Sequence, residues 1–217
     1  MFRDRLDAAE QLARRLGNLR GSRPLILAIP RGGVPMGRVV ADALDGDLDV
    51  VLVRKIPAPG NAEYAIGAVA EDGTRYQAES AAARFGAEYV DRAAATQQEK
   101  LRERRARYTP VRPPIDPAGR IVVVVDDGSA TGATMEAALQ VVRRQAPKRL
   151  IAALGAAPPE VVRRLGQVSD EVICLEASAD FFAVGQFFAD FRQVDDEEVI
   201  SLLASPPPRG PEGNRAP

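Results

Sequence analysis

Short apolar runs alternate with stretches of helical period along most of the chain. Leu6, Ala9, Leu12, Ala13, Leu16 and Leu19 recur on one helical face, and Gly17 and Gly21 punctuate its end, which predicts a packing helix. Leu25 to Ile29 is cut off by Pro30, Arg31, Gly32 and Gly33, so it reads as a strand ending in a tight loop, and Val34 to Leu44 then has helical character. Leu48 to Val53 predicts another strand, with Arg54 and Lys55 at its end and a Pro- and Gly-rich loop over Ile56 to Asn61. Ile66 to Ala70 and Thr74 to Gln77 predict a hairpin across Glu71, Asp72 and Gly73. Ala87 to Tyr108 is a long polar helix, followed by a linker marked by Pro110, Pro113, Pro114 and Pro117. Ile121 to Val125, five β-branched residues in a row, reads as a strand buried on both faces. Met135, Ala138, Leu139 and Val142 repeat at helical spacing, so a helix begins at about Gly132 or Ala133. Leu150 to Leu154, Pro159 to Leu165 and Val172 to Leu175 continue as strand, helix and strand, and Glu197 to Leu203 is a closing helix. Repeated strand-helix units predict an α/β fold with a mostly parallel sheet flanked by helices. The last stretch, 205–217, is rich in Pro, Gly and charge and is expected to be disordered.

Composition limits the chemistry more than the fold. At 217 residues with 46% hydrophobic content, one domain with a full core is expected. A net charge of -1 gives no field that would draw the protein to nucleic acid or to an anionic membrane. Asp4, Asp7 and Glu10 stand where a signal peptide would be apolar, and no apolar run nears the roughly 20 residues of a membrane span, so a cytoplasmic protein is expected. The charges from Glu99 to Arg107 have no aromatic residue among them, so the long helix is read as a solvated, salt-bridged face rather than a nucleic-acid patch. Histidine is absent, which removes histidine acid-base catalysis, the nucleophilic triads and the usual zinc sites. The one cysteine, Cys174, lies in the apolar run Val172 to Leu175 and reads as a small buried hydrophobe. Oxygen-ligand and phosphate chemistry remains, with Mg2+ its natural metal.

That chemistry has a location. After the β-branched strand come Asp126 and Asp127, then Gly128, Ser129, Ala130, Thr131 and Gly132, then the helix. Unpaired N–H groups at a helix N-terminus, glycine beside them and two hydroxyls make Thr131, Gly132, Ala133 and Thr134 a phosphate cradle. Two adjacent carboxylates repel unless a donor or cation is near; a sugar cis-diol or a metal ion would serve. Phosphate on one side and a diol on the other describe a ribose 5-phosphate. Arg31, with Gly32 and Gly33, can present a guanidinium fork and bare N–H groups to an oxyanion, although such a turn is as often only a turn. Arg54 and Lys55 could neutralise a pyrophosphate or be a solvated pair. Five phenylalanines crowd into FFAVGQFFADF, readable as core, as a subunit interface consistent with a homodimer, or as a wall for a flat base. No GxxxxGK[ST] occurs and no GxGxxG follows the first strand, which argues against a P-loop NTPase and a Rossmann dehydrogenase.

The segment VVVVDDGSATGAT resembles the signature of the type I phosphoribosyltransferases: an apolar strand, two acidic residues, a short variable segment and Thr-Gly-x-Thr. RGG resembles that family's pyrophosphate loop, in which a non-proline cis peptide commonly precedes the basic residue, here between Pro30 and Arg31. VRKIPAPG is similar to the Arg-Lys segment of adenine phosphoribosyltransferases. RGGVP, VRK with PGN, and IGAVAEDG together resemble a group of bacterial proteins classed as phosphoribosyltransferases. The resemblance implies one domain over 1–204, with a flexible loop and helical insertion at about 67–108 and a small hood at about 178–194. It further implies that Asp126 and Asp127 hold the ribose hydroxyls of phosphoribosyl pyrophosphate, that Ala130 to Thr134 bind its 5'-phosphate, and that Gly128 and Ser129 belong to the same substrate-binding loop. Arg31, with Gly32, Gly33 and Arg54 or Lys55, would stabilise pyrophosphate, and Mg2+ would be held mainly by the substrate, with help from the acidic pair. Phe187 and Phe188 would wall the base. The implied reaction is transfer of 5-phosphoribosyl to a nitrogenous base, with a nucleoside monophosphate as product. Ala130 stands where 6-oxopurine enzymes carry an Asp, which disfavours hypoxanthine, guanine and xanthine. The competing expectation is a regulatory protein that binds phosphoribosyl pyrophosphate or a nucleotide without turnover.

Overall fold

The computed structural model describes residues 1–76 and 78–205. In chain order the elements are α1 (Arg5–Arg15), β1 (Leu25–Ala28), α2 (Gly33–Leu44), β2 (Asp47–Val50), β3 (Val53–Ala58), β4 (Asn61–Ala70), β5 (Arg75–Tyr76), α3 (Ala78–Phe85), α4 (Ala87–Tyr108), β6 (Ile121–Gly128), α5 (Ala133–Arg144), β7 (Arg149–Ala157), α6 (Pro159–Leu165), β8 (Glu171–Ala177) and α7 (Asp196–Ala204). Five strands form a parallel sheet in the order β2-β1-β6-β7-β8, and β3-β4-β5 form a separate antiparallel sheet.

The β-branched run explains why β6 is central. Side chains alternate across a strand, so a strand covered on both faces must be apolar at every position. Val123 and Val125 pack with Ile26 and Ala28 of β1 against α1 and α2 on one face. Val122 and Val124 join Leu25 and Leu27 against α5 and α6 on the other. All four valines are fully buried.

Three segments depart from the sequence expectation. The run Leu48 to Val53 is not one strand: β2 ends at Val50, the chain leaves the parallel sheet, and β3 begins at Val53 in the second sheet. The stretch Ile56 to Asn61, expected as a loop, is strand except at the turn. Pro57 sits where the pairing with β4 slips register, in a strand at the sheet's edge, which is where proline is tolerated. Helix α3 has no counterpart in the sequence expectation; it is only eight residues long, too short for its period to stand out, and Gly86, at φ 86°, separates it from α4. The hairpin across Glu71 to Gly73 is present as β4 and β5, while Gln77 and the tail 206–217 lie outside the described residues.

The expected salt-bridged face of α4 carries Glu88–Arg92 and Glu99–Arg102 pairs. Arg105 of the same helix turns inward: it pairs with Asp49 at 3.1 Å and Glu71 at 2.7 Å and donates to the Val50 carbonyl at 3.0 Å. Tyr108, fully buried, donates to Asp196 Oδ1 at 2.8 Å and so fastens α4 to α7. Cys174 is half-buried rather than buried, and burial pushes its thiol up to about 11, away from nucleophilic use. No helix among the described residues is long and apolar enough to cross a membrane.

The hood segment is pinned by the chain's first residues. Phe2 makes a parallel bridge to Phe188, and their rings lie 5.1 Å apart. Within the segment, Gln186 accepts from the N–H groups of Phe182 and Ala183 and donates to the Asp180 carbonyl at 2.6 Å, closing a compact turn.

Candidate active site

Strand order places the site. From β1 the chain crosses through α2 to β2 on one side, and from β6 it crosses through α5 to β7 on the other, so the loops leaving β1 and β6 diverge and open a crevice at the strands' carboxyl ends. The two strands stay paired to their last residues, with Ala28 opposite Val125 and the Ile29 N–H donating to the Val125 carbonyl at 2.9 Å.

A cleft of about 360 Å³ opens there, lined by Ile29, Pro30, Arg31, Gly32, Lys55, Asp126, Asp127, the loop from Gly128 to Thr131, and Thr134. The two loops singled out in the sequence therefore meet. Gly33 and Ala133, the first residues of α2 and α5, and Gly132 adjoin these loops without lining the cleft. The peptide bond between Pro30 and Arg31 is cis. Lys55 reaches the cleft and Arg54 does not, because neighbouring residues of a strand face opposite ways. Arg54 Nε donates instead to Gln97 Oε1 of α4 at 2.8 Å. The two phenylalanines expected to wall a base are also elsewhere: Phe188 is buried between the rings of Phe2 and Phe191, and Phe187 packs on Phe181. Phe2, the ring partner of Phe188, lies at the far end of the sequence.

Close packing explains the glycines of the first loop. A Cβ at Gly32 would collide with Asp127 Oδ2, and one at Gly33 would stand 2.5 Å from the Val125 carbonyl oxygen. Across the cleft, Gly132 precedes α5 at φ 74°, and its N–H donates to Ser129 Oγ at 3.0 Å, which shapes the loop that leads into the N-terminus of α5. Arg164 of α6 donates to the Thr131 carbonyl and pairs with Glu136 at 3.1 Å, and the Tyr76 hydroxyl at the end of β5 donates to the same Glu136. These contacts tie the hairpin and α6 to the first turn of α5.

The acidic pair is divided by its surroundings. Burial raises the Asp126 carboxyl well above its ordinary value, the adjacent Asp127 charge adds to this, and Asp126 Oδ1 accepts the Asp127 N–H at 2.9 Å. Burial raises Asp127 as well, opposed by Arg5, whose Nε donates to Asp127 Oδ2 at 2.8 Å. Nothing in the sequence marked Arg5, one of several charges at the start of an amphipathic helix. Chemically, the lining brings together the cations of Arg31 and Lys55, the carboxylates of Asp126 and Asp127, and the hydroxyls of Ser129, Thr131 and Thr134.

Comparisons with known proteins agree with this geometry. The Phosphoribosyl transferase domain family model matches residues 3–187. "Putative phosphoribosyl transferase Rv0571c" of Mycobacterium tuberculosis is 42% identical over 205 residues, 94% of this chain and 46% of the relative, so the chain spans about half the length of the curated relatives it matches. The crystal structure of TT1426 from Thermus thermophilus superposes with a TM-score of 0.85 at 47% identity, covering 94% of this chain and 98% of that one. With a mostly parallel sheet, a small antiparallel sheet and the diverging loops of β1 and β6 at its centre, the chain belongs to the phosphoribosyl transferase domain family and has the type I phosphoribosyltransferase fold.

Proposed function

We propose that the cleft binds phosphoribosyl pyrophosphate and that the protein transfers its 5-phosphoribosyl group to a nitrogenous base. The observation that carries this reading is the convergence of the Arg31 loop, the acidic pair and the Thr131 to Thr134 loop on a single cleft. In the step proposed, the bond from C1 of the sugar to pyrophosphate breaks and a bond from C1 to a base nitrogen forms. The nitrogen's proton leaves to pyrophosphate or solvent. The transition state is oxocarbenium-like, so positioning and charge stabilisation carry the catalysis. Helix N–H groups and the hydroxyls of Thr131 and Thr134 fix the 5'-phosphate, Asp126 and Asp127 take the sugar hydroxyls, and Arg31 with Lys55 receives the charge of departing pyrophosphate.

Magnesium fits this site only as an ion carried by the substrate. Among the described residues no cluster of three or more His, Cys, Asp or Glu could hold a metal, and Asp127 is already paired with Arg5. Asp126 is the carboxylate left to assist, and the bound ion would offset pyrophosphate charge. The experiment is pyrophosphate release on mixing the protein, phosphoribosyl pyrophosphate and magnesium with a panel of bases. Release with one base and not others supports the reading.

One observation favours a second reading, a regulatory protein that binds without turnover. The described lining holds no titratable side chain beyond the acidic pair, Arg31 and Lys55, and so no evident base for the acceptor. Tight binding of phosphoribosyl pyrophosphate with no release for any base would establish that alternative over the enzyme.

A further inference from the structure

Arg5 is the first residue of α1 and does not line the cleft, yet its side chain joins the acidic pair to the hood segment. Nε donates to Asp127 Oδ2 at 2.8 Å, and Nη1 donates to the Arg192 carbonyl at 2.6 Å. The guanidinium carbon lies 3.9 Å from the centre of the Phe191 ring. Only 11% of the Arg5 side chain and 12% of the Asp127 side chain are exposed. One planar group thus meets a carboxylate, a backbone carbonyl and an aromatic face, a combination that suits arginine and not lysine. The backbone around it is laced to the same segment: Phe2 N donates to the Phe187 carbonyl at 2.7 Å, Ala189 N to the Phe2 carbonyl at 2.8 Å, and Asp190 N to the Arg3 carbonyl at 2.8 Å.

Without Arg5, Asp127 would lie against Gly32 and beside Asp126 with its buried charge uncompensated. Adjacent buried carboxylates without a cation share a proton or turn apart, and either change removes an acceptor from the place where a sugar hydroxyl must donate. We propose that Arg5 is a positioning residue for the pentose, which fixes the direction of Asp127 and couples it to the seating of Phe191 and Arg192 against α1. Sugar recognition then depends on how Phe191 and Arg192 sit against α1. This rests on the sugar-phosphate reading above.

The test uses the full chain and two probes, ribose 5-phosphate and inorganic phosphate, titrated calorimetrically into the wild type, Arg5→Gln, Arg5→Lys, Asp127→Asn and the Arg5→Gln/Asp127→Asn double variant. Arg5→Gln is expected to weaken ribose 5-phosphate by about 10- to 100-fold, the scale of one lost charge-assisted contact. Inorganic phosphate, held at the Thr131 to Thr134 loop, is expected to stay within about twofold. The double variant should bind ribose 5-phosphate no more weakly than Asp127→Asn alone, because Arg5 acts through Asp127. Unchanged ribose 5-phosphate binding in Arg5→Gln, or equal losses for both probes, overturns the proposal, the second being what a purely structural role produces. If the wild type does not prefer ribose 5-phosphate to inorganic phosphate, the sugar-phosphate reading itself fails and this proposal with it, an outcome visible before any variant is made. Should Arg5→Gln not fold, Arg5→Lys and Phe191→Leu carry the test: each is expected to lose part of the ribose 5-phosphate preference, and retention of all of it in both overturns the proposal.

Discussion

Ala28 and Val125 stand opposite each other in adjacent parallel strands, and the chain leaves them toward helices on opposite faces of the sheet. Each loop alone is unremarkable as chemistry; the pairing makes one supply the Arg31 cation and the other carboxylates and a helix N-terminus. Arg31→Ala is therefore expected to lower pyrophosphate release by about 10²-fold or more, the usual cost of one preorganised charge-stabilising contact. Steady-state assays with the accepted base measure it, and a loss below about threefold would remove Arg31 from the proposed role.

Gly32→Ala tests the crowding behind Asp127. The added methyl meets the Asp127 carboxylate, so that carboxylate or the loop must move. Overpacking of this kind typically costs about 1–3 kcal/mol, and ribose 5-phosphate binding should fall with it. Urea unfolding and calorimetry on the same samples report both effects.

Asp126 gives a pH-dependent expectation. Its folded carboxyl is raised above the ordinary 3.8 by burial first and by Asp127 second. Between the two values the folded protein holds more protons than the unfolded chain, so this group's contribution to stability falls as pH rises from about 4 through its folded value. Asp126→Asn removes that titration while its amide oxygen can still accept the Asp127 N–H. The variant should match the wild type most closely at the acid end and be the more stable at neutral pH, and each 1 kcal/mol gained would raise Tm by about 2–4 °C. Thermal unfolding followed from pH 4 to 8 gives the comparison, and an unchanged pH slope would contradict it.

Arg105 is expected to matter for stability and not for binding. Asp49, only 3% exposed, would keep its bonds from the Val50 and Ile115 N–H groups but lose its cation. Removing one partner of such a buried pair typically costs about 3–5 kcal/mol, so Arg105→Ala should shift the urea midpoint strongly downward. Phosphate affinity of the folded fraction should be unaltered.

Much of this arrangement was legible in the residues because it is written in local pattern. Four consecutive buried valines permit no other position than the sheet's middle, and Pro159 to Leu165 is the helix its spacing predicts. Gly128 after Asp127 marks the turn for the same reason that Gly32 does, since a Cβ there would stand 2.7 Å from Val184 and 2.8 Å from the Ala156 carbonyl oxygen. Hidden features depend on partners distant in the chain. Pro57 signals a loop unless one knows that β3 lies at an edge, where a register slip accommodates it. Arg5 and Arg105 look like ordinary solvated charges on helices, and only the tertiary fold reveals the carboxylates of Asp127 and Asp49 waiting for them. Phe188 looked available for a ligand because its ring partner, Phe2, is nearly the whole chain away.

The pairing of β1 with β6 also bears on how the protein is made. Leu25 to Ala28 find Val122 to Val125 only after the intervening hairpin, helices and linker have left the ribosome, and contacts between such remote segments form slowly. A nascent chain halted before β6 would carry the basic loop with a bare apolar strand beside it, exposed to chaperones and to aggregation. Ligand affinity should arise late and abruptly as the polypeptide lengthens, because neither half of the crevice exists as a shape until the other is synthesised.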